Sequence, residues 1–209
     1  KKILHELNRM IEEDERKEWI DQIQLWKNQY PLSYEKNSSL KPQFIVEKIY
    51  ELTGGEAIIT TEVGQNQLWA AQYYKYTKPR TFISSGGLGT MGYGLGASIG
   101  AQIGRMDKKV FNIAGDGSFR MNCNELATAV EYKLPIVIVI LNNRVLGMVR
   151  QWQNLFYDSR FSCTTIDRAT DFVKLAQAYG AKGIHVTRNE EVEDAIKEAL
   201  ESSVPVVIN

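Results

Sequence analysis

The chain has 209 residues, with Lys+Arg 25 against Asp+Glu 25, 44% hydrophobic and 10% aromatic side chains. That composition fits a soluble globular protein able to bury one substantial core beside an appendage. A formal charge of +0 offers nucleic-acid phosphates no basic field, and no apolar run reaches the roughly 18 residues of a membrane span.

The chain opens on Lys1-Lys2 and charged helical sequence, without Met and without the apolar stretch of a signal peptide, which reads as a piece of a longer cytoplasmic protein. Ile3, Leu4, Leu7, Met10 and Ile11, then Trp19, Ile20, Ile23 and Trp26, recur at helical spacing around a charged face at 12–18, predicting an amphipathic helical arm. Pro31 and the polar stretch 33–39 read as a linker, so 1–40 is taken as arm and linker and 41–209 as the main domain. From Pro42 a helix runs to Gly54-Gly55, followed by an apolar strand Ala57 to Thr61, a helix near Asn66 to Tyr74, and a short strand Thr81 to Ser84. Further strands are expected at 110–114, 136–141, 183–186 and 204–208. Helices are expected at about 90–104, 122–133, 146–157, 171–179 and 190–202, with Asp171 as an N-cap and Gly180 as a stop. Val- and Ile-rich strands separated by helix-length segments predict an α/β fold with a doubly wound parallel sheet buried on both faces. Ligands of such a sheet bind beyond the carboxyl ends of its strands.

Three segments at those ends stand out. Gly87, Gly89 and Gly92 satisfy GxGxxG between a strand and a helix, with Asp116 further on where a dinucleotide ribose carboxylate would be sought. The second is Gly115-Asp116-Gly117-Ser118, whose glycines free main-chain amides to face an anion while the single carboxylate faces a cation. It precedes Asn122-x-x-Glu125, a capping pattern. The third is Asn142-Asn143 at the end of the next strand. On adjacent parallel strands Asp116 and Asn143 would offer two hard oxygens to one small divalent ion. Magnesium suits them, its remaining positions going to phosphate oxygens and water. A helix N-terminus would add oriented positive charge toward a diphosphate. Taken singly, Asp116 reads more readily as a loop carboxylate capping a helix and the asparagines as a polar turn after a strand; the metal-diphosphate reading rests on their joint placement.

Asp116 with its glycines and the Asn142-Asn143 pair resemble the diphosphate-binding signature of thiamine-diphosphate enzymes. Gly64-Gln65-Asn66-Gln67-Leu68-Trp69, the run Ser85 to Gly94, and Gln151-Trp152-Gln153-Asn154-Leu155-Phe156-Tyr157 are similar to the catalytic subunits of the acetohydroxyacid synthase (acetolactate synthase) family, from about Trp19 to Asn209. The resemblance implies that Asp116, the Asn143 side chain and the Val145 main-chain oxygen hold magnesium. It implies a diphosphate cradle of Gln65, Asn66, Gly117, Ser118 and Leu146, Gly147 and Met148. The aminopyrimidine would be gripped by the Gly89 carbonyl and the Met91 amide, with the Met91 side chain propping the cofactor. Met148, Val149 and Trp152 would line the substrate pocket, Trp152 bearing on the choice of second keto acid. Asn66 stands where the family commonly has histidine, and Arg144-Val145 where acidic residues are common.

The implied reaction is decarboxylation of pyruvate and ligation of its two-carbon unit to pyruvate or 2-oxobutanoate, a carboligase step of branched-chain amino acid biosynthesis. The family's activating glutamate lies on an N-terminal domain of the neighbouring subunit, so no catalytic residue is assigned in this chain and little turnover is expected from it alone. The family also implies a homodimer or homotetramer, admits a regulatory small subunit, and leaves room for FAD in a full-length protein. The competing readings are another thiamine-diphosphate-dependent 2-keto acid decarboxylase or carboligase, an NAD-dependent oxidoreductase using GxGxxG, and a binding module without catalysis. His5, His185, Cys123 and Cys163 read as structural, and the Tyr73, Tyr74 and Tyr76 group as a helix end or subunit surface rather than a nucleic-acid stacking platform.

Overall fold

The computed structural model describes residues 1–12, 14–166 and 170–209, folded as two compact units, Lys1–Glu35 and Lys36–Asn209. The first unit is two helices, α1 (Lys2–Met10) and α2 (Lys17–Gln29), where the sequence suggested one arm. Between them the apolar spacing lapses. Asp14 Oδ1 accepts the Arg16 amide at 3.0 Å, and Arg16 adopts a left-handed φ of 47°. Trp19 and Trp26, on one face of α2, meet edge to face at 5.5 Å.

The second unit begins a few residues before the expected Lys41, because Asn189 Nδ2 donates to the Asn37 carbonyl at 3.2 Å and Leu40 packs on the core. Its elements are α3 (Pro42–Thr53), β1 (Ile58–Thr61), α4 (Gln65–Tyr73), β2 (Phe82–Ile83), α5 (Tyr93–Gly104), β3 (Val110–Gly115), α6 (Asp116–Phe119), α7 (Leu126–Glu131), β4 (Val137–Leu141), α8 (Gly147–Phe156), α9 (Phe172–Tyr179), β5 (Lys182–Ile184), α10 (Asn189–Glu201) and β6 (Val206–Ile208). The strands form one six-stranded parallel sheet in the order β2-β1-β3-β4-β6-β5.

Alternate residues of each central strand feed opposite cores, as the period of two demands. Val137, Val139 and Leu141 face α3, α4 and α10 through Ile49, Ala70 and Ile196. Ile136, Ile138 and Ile140 face α5, α7 and α9 through Leu95, Leu126 and Phe172. The doubly wound α/β expectation therefore holds, with Asp171 capping α9 by accepting the Lys174 amide at 3.0 Å and Gly180 ending it at φ 87°. Among the described residues no helix is long and apolar enough to cross a membrane.

Two local expectations fail. The helix expected from about 90 starts at Tyr93, because Gly89 and Gly92 take left-handed φ values of 64° and 85°. The capping pattern at Asn122 does not form: its amide donates to the Gly92 carbonyl at 2.8 Å, and a 3-10 turn over Cys123–Glu125 precedes a short α7. The side chain that would have capped its own helix instead ties that segment to the glycine loop.

Candidate functional site

The chain leaves β1 outward to β2 and returns on the other side of β1 to form β3. The loops after β1 and β3 diverge at this switch point and open a crevice above the sheet. A cavity of about 240 Å³ lies there.

From α4, which follows β1, come Gln65, Asn66 and Trp69; from the loop after β2, Gly89 and Met91; from the end of β3 and α6, Gly115, Gly117 and Ser118; from beyond β4, Asn143, Val145, Leu146, Gly147, Met148 and Val149. The residues assigned to cofactor and metal from the sequence thus surround one cavity, with Asp116 between two of its lining glycines. Trp152 does not line it. It lies in an adjoining pocket of about 520 Å³ with Gln153, Tyr157 and Arg160, and Met148 and Val149 border both spaces.

Asp116 is 1% exposed, and neither carboxylate oxygen has a hydrogen-bond partner. Burial pushes its carboxyl above the ordinary carboxylate range. The nearby Arg120 charge and the main-chain amides of Asp116, Asn143 and Gly117 pull the other way, yet none of these amides closes a bond on either oxygen. A buried anion without donors is costly unless a cation completes it, and a metal ion would reverse the shift.

The other oxygens follow from the end of β4. The register Gly115↔Leu141 sets Asp116 and Asn143 at one sheet edge. Of the asparagine pair, Asn142 turns away and donates to Asn209 Oδ1 at 3.0 Å, whereas Asn143 Oδ1 accepts the Val145 amide at 3.1 Å and keeps a second lone pair. Val145 forms an antiparallel bridge with Thr165, flanked by Leu146 N–H to Thr164 O and Ile166 N–H to Arg144 O, each 2.8 Å. In such a pair the central residue's own carbonyl points away from the partner segment. The Val145 oxygen is therefore not taken up by the partner segment. Arg144, at φ 58°, makes the sharp turn into this bridge. Among the described residues no group of three or more His, Cys, Asp or Glu gathers, so this set is one carboxylate with neutral oxygens, a composition suited to magnesium carrying phosphate.

Glycines keep the cavity lined by main chain. A Cβ on Gly117 would stand 2.6 Å from Leu146 Cδ2, and one on Gly147 would collide with the Gln65 side-chain oxygen. Gln65 is steadied through Nε2 by Gln151 Oε1 at 3.1 Å. Asn66 lines the cavity, but both its amide hydrogens are engaged, donating to Ile113 O at 2.8 Å and Glu62 O at 3.0 Å. It presents Oδ1 near Gly115 and braces the ends of β1 and β3, rather than aiming a donor at an anion.

Glu62 was not singled out from the sequence. It follows β1, is 0% exposed, and accepts the Gly92 amide at 2.8 Å, the Ser118 hydroxyl at 2.9 Å and the Leu95 amide at 3.1 Å. The only signal in the sequence was an acid at the carboxyl end of an apolar strand. It also removes the dinucleotide reading: the α5 amides that would hold a pyrophosphate already hold the chain's own carboxylate. The third glycine of that motif, Gly92, and Gly94 beyond it give close packing, and a Cβ on Gly94 would lie 2.7 Å from the Glu62 nitrogen.

A parallel α/β domain with a main-chain-lined crevice at the switch point and a buried carboxylate beside it has the architecture of a domain that binds an anionic cofactor. Residues 62–209 match the family described as "Thiamine pyrophosphate enzyme, C-terminal TPP binding domain", and the chain belongs to that family. It is 46% identical over 189 residues to the acetolactate synthase isozyme 3 large subunit of Escherichia coli, covering 90% of this chain and 33% of that one. It is 47% identical over 200 residues to the mitochondrial acetolactate synthase catalytic subunit of Saccharomyces cerevisiae, covering 93% and 29%. With a probable acetolactate synthase large subunit of Methanococcus aeolicus the identity is 41% over 223 residues, covering 100% and 37%. The chain spans about a third of the length of these curated relatives.

Proposed function

We propose that this chain is the cofactor-binding third of an acetolactate synthase catalytic subunit, binding thiamine diphosphate through magnesium. The observation that carries the reading is Asp116, a fully buried carboxylate whose two oxygens lack partners beside a glycine-lined cavity. The donor set fits the group. Asp116, Asn143 Oδ1 and the Val145 carbonyl would hold magnesium, and the main-chain amides of Gly117, Ser118, Gly147 and Met148, with the Gln65 side chain, would hold the diphosphate. Gly89 and Met91 would meet the aminopyrimidine. When bound, the cofactor supplies the reactive carbon and the electron sink for decarboxylation.

This chain's residues bind, orient and exclude water. Met148 and Val149 border both the cofactor cavity and the Trp152 pocket, so the apolar face of α8 would seat the keto acid beside the cofactor and keep solvent from it. Trp152 and Arg160 would then bear on the second substrate, pyruvate or 2-oxobutanoate, the guanidinium matching a carboxylate. The finer features of the family reading, a cytoplasmic homodimer or homotetramer, a regulatory small subunit and FAD, belong to the same proposal for the full-length protein.

The test is an assay of the full-length protein with pyruvate alone and with 2-oxobutanoate added, following carbon dioxide release and the acetohydroxy acid product. Turnover requiring both thiamine diphosphate and magnesium is expected, with none from residues 1–209 alone. Carbon dioxide release without ligated product would favour a simple decarboxylase, and cofactor binding without carbon dioxide release would favour a binding module.

A further inference from the structure

The loops proposed to take the two ends of the cofactor are joined by one side chain. Glu62 Oε2 accepts both the Gly92 amide, next along the chain from Gly89 and Met91, and the Ser118 hydroxyl, next along from Asp116 and Gly117. The Gly92 amide also reaches Ser118 Oγ at 3.1 Å, so the three groups form a closed ring. Oε1 takes the Leu95 amide in the first turn of α5.

We infer that Glu62 is a positioning residue for the cofactor, fixing the loop at its ring end against the loop at its diphosphate end; this rests on the thiamine-diphosphate reading above. A carboxylate is an expensive cap for a helix when neutral side chains suffice, because its charge must be held without water. Here only hydrogen-bond donors hold it, and among the described residues no salt bridge involves it. What a carboxylate offers over a hydroxyl is reach and several acceptor sites, which let it draw donors from two separate loops to a common point. A side effect follows for Ser118. Its hydroxyl hydrogen is engaged by Glu62, so Ser118 would meet the diphosphate through its main-chain N–H. A shift of either loop by a fraction of an ångström would then change how the two ends of one ligand are met at once.

The experiment uses the full-length protein, stripped of cofactor and reconstituted with thiamine diphosphate and magnesium, comparing wild type with Glu62→Gln, Glu62→Asp and Ser118→Ala. The readouts are cofactor half-saturation, near-ultraviolet circular dichroism of the bound pyrimidine, KM for pyruvate at saturating cofactor, and melting of the apo form. Glu62→Gln keeps the shape but turns an amide onto the donors, and should raise the cofactor half-saturation about tenfold or more and alter the circular dichroism while leaving KM for pyruvate unchanged. Glu62→Asp should restore part of the affinity, and Ser118→Ala should move the same readouts less. Wild-type half-saturation and circular dichroism in Glu62→Gln would overturn the inference. So would variants that lose apo stability while their folded fraction binds cofactor normally. Should Glu62→Gln fail to fold, Ser118→Ala decides by the same readouts. A wild-type protein that binds no thiamine diphosphate would instead bring down the proposed function before any variant is compared.

Discussion

Two carboxylates stand at the ends of neighbouring strands, and their surroundings are opposite. Glu62, after β1, is wrapped in donors from two loops; Asp116, after β3, is as deeply buried and has none. Burial alone does not distinguish them. What does is the state of their oxygens: a buried carboxylate whose acceptors are filled is part of the scaffold, whereas one left empty stores unfavourable free energy that a cation can release. The β1 end therefore braces the crevice, and the β3 end carries the carboxylate proposed to meet the cation.

Asp116→Asn attacks that contrast most directly. If Asp116 is the anionic magnesium ligand proposed above, its loss should weaken magnesium-dependent binding of thiamine diphosphate by about a hundredfold or more, in line with the loss of one partner from a buried charge pair. The same substitution should raise the stability of the apo protein by about 1–3 kcal/mol, because a neutral amide replaces an unsatisfied buried charge. Titration with cofactor and calorimetry of the apo form check the two halves. Apo destabilisation would mean that Asp116 is held by donors after all, like Glu62.

Gly94→Ala tests the β1 end. Its Cβ would meet the Glu62 nitrogen at 2.7 Å and the Thr61 carbonyl carbon at 2.8 Å, both main chain and unable to rotate aside. α5 would have to lift from β1, at a cost of about 3 kcal/mol, and the lift would carry Gly92 and Leu95 away from Glu62. Reduced thermal stability is the expected result, seen in a melting curve. Asn66→Ala should cost less, about 1–2 kcal/mol. It strips one hydrogen bond from the Glu62 carbonyl outright, while the Ile113 carbonyl keeps the Glu62 amide at 3.1 Å. If Asn66 were chiefly a diphosphate donor, the variant would lose cofactor affinity and keep its apo stability.

The contrast also marks where sequence reading stops. The sheet is legible because Ile136 to Leu141 and its counterparts are apolar on both faces, a pattern that only a doubly covered strand can satisfy. Asp116 and Asn143 are legible because strand ends and glycines fix where they project. Glu62 is not, since a glutamate in a sequence reads as solvated, and its burial depends on loops arriving from Gly92 and Ser118. Asn122 misleads for the same reason: the local capping pattern is satisfied on paper, but a carbonyl from the glycine loop competes for the side chain and wins. Asn66 looks like a cofactor ligand by its position, and only the location of the Ile113 and Glu62 carbonyls turns its amide inward. In each case the missing information is a partner distant in the chain.

The smallest expected effect separates packing from conformation within α5 itself. Gly96 lies in the same helix as Gly94 but on its exposed side, and a Cβ there would meet nothing within 4 Å. Its backbone is ordinary helix, since it is absent from the glycines that take positive φ. Gly96→Ala should therefore stabilise the protein by about 0.5–1 kcal/mol, through the conformational entropy that glycine loses on folding. Cofactor affinity should not change, because Gly96 contributes nothing to the Glu62 cluster or to the cavity. A melting curve and a cofactor titration on Gly94→Ala and Gly96→Ala, made side by side, ask whether this run of glycines serves close approach or chain flexibility. If the helix needs flexibility to admit the cofactor, both alanines weaken binding; if it needs only contact with β1, the two substitutions move stability in opposite directions and only Gly94→Ala disturbs the site.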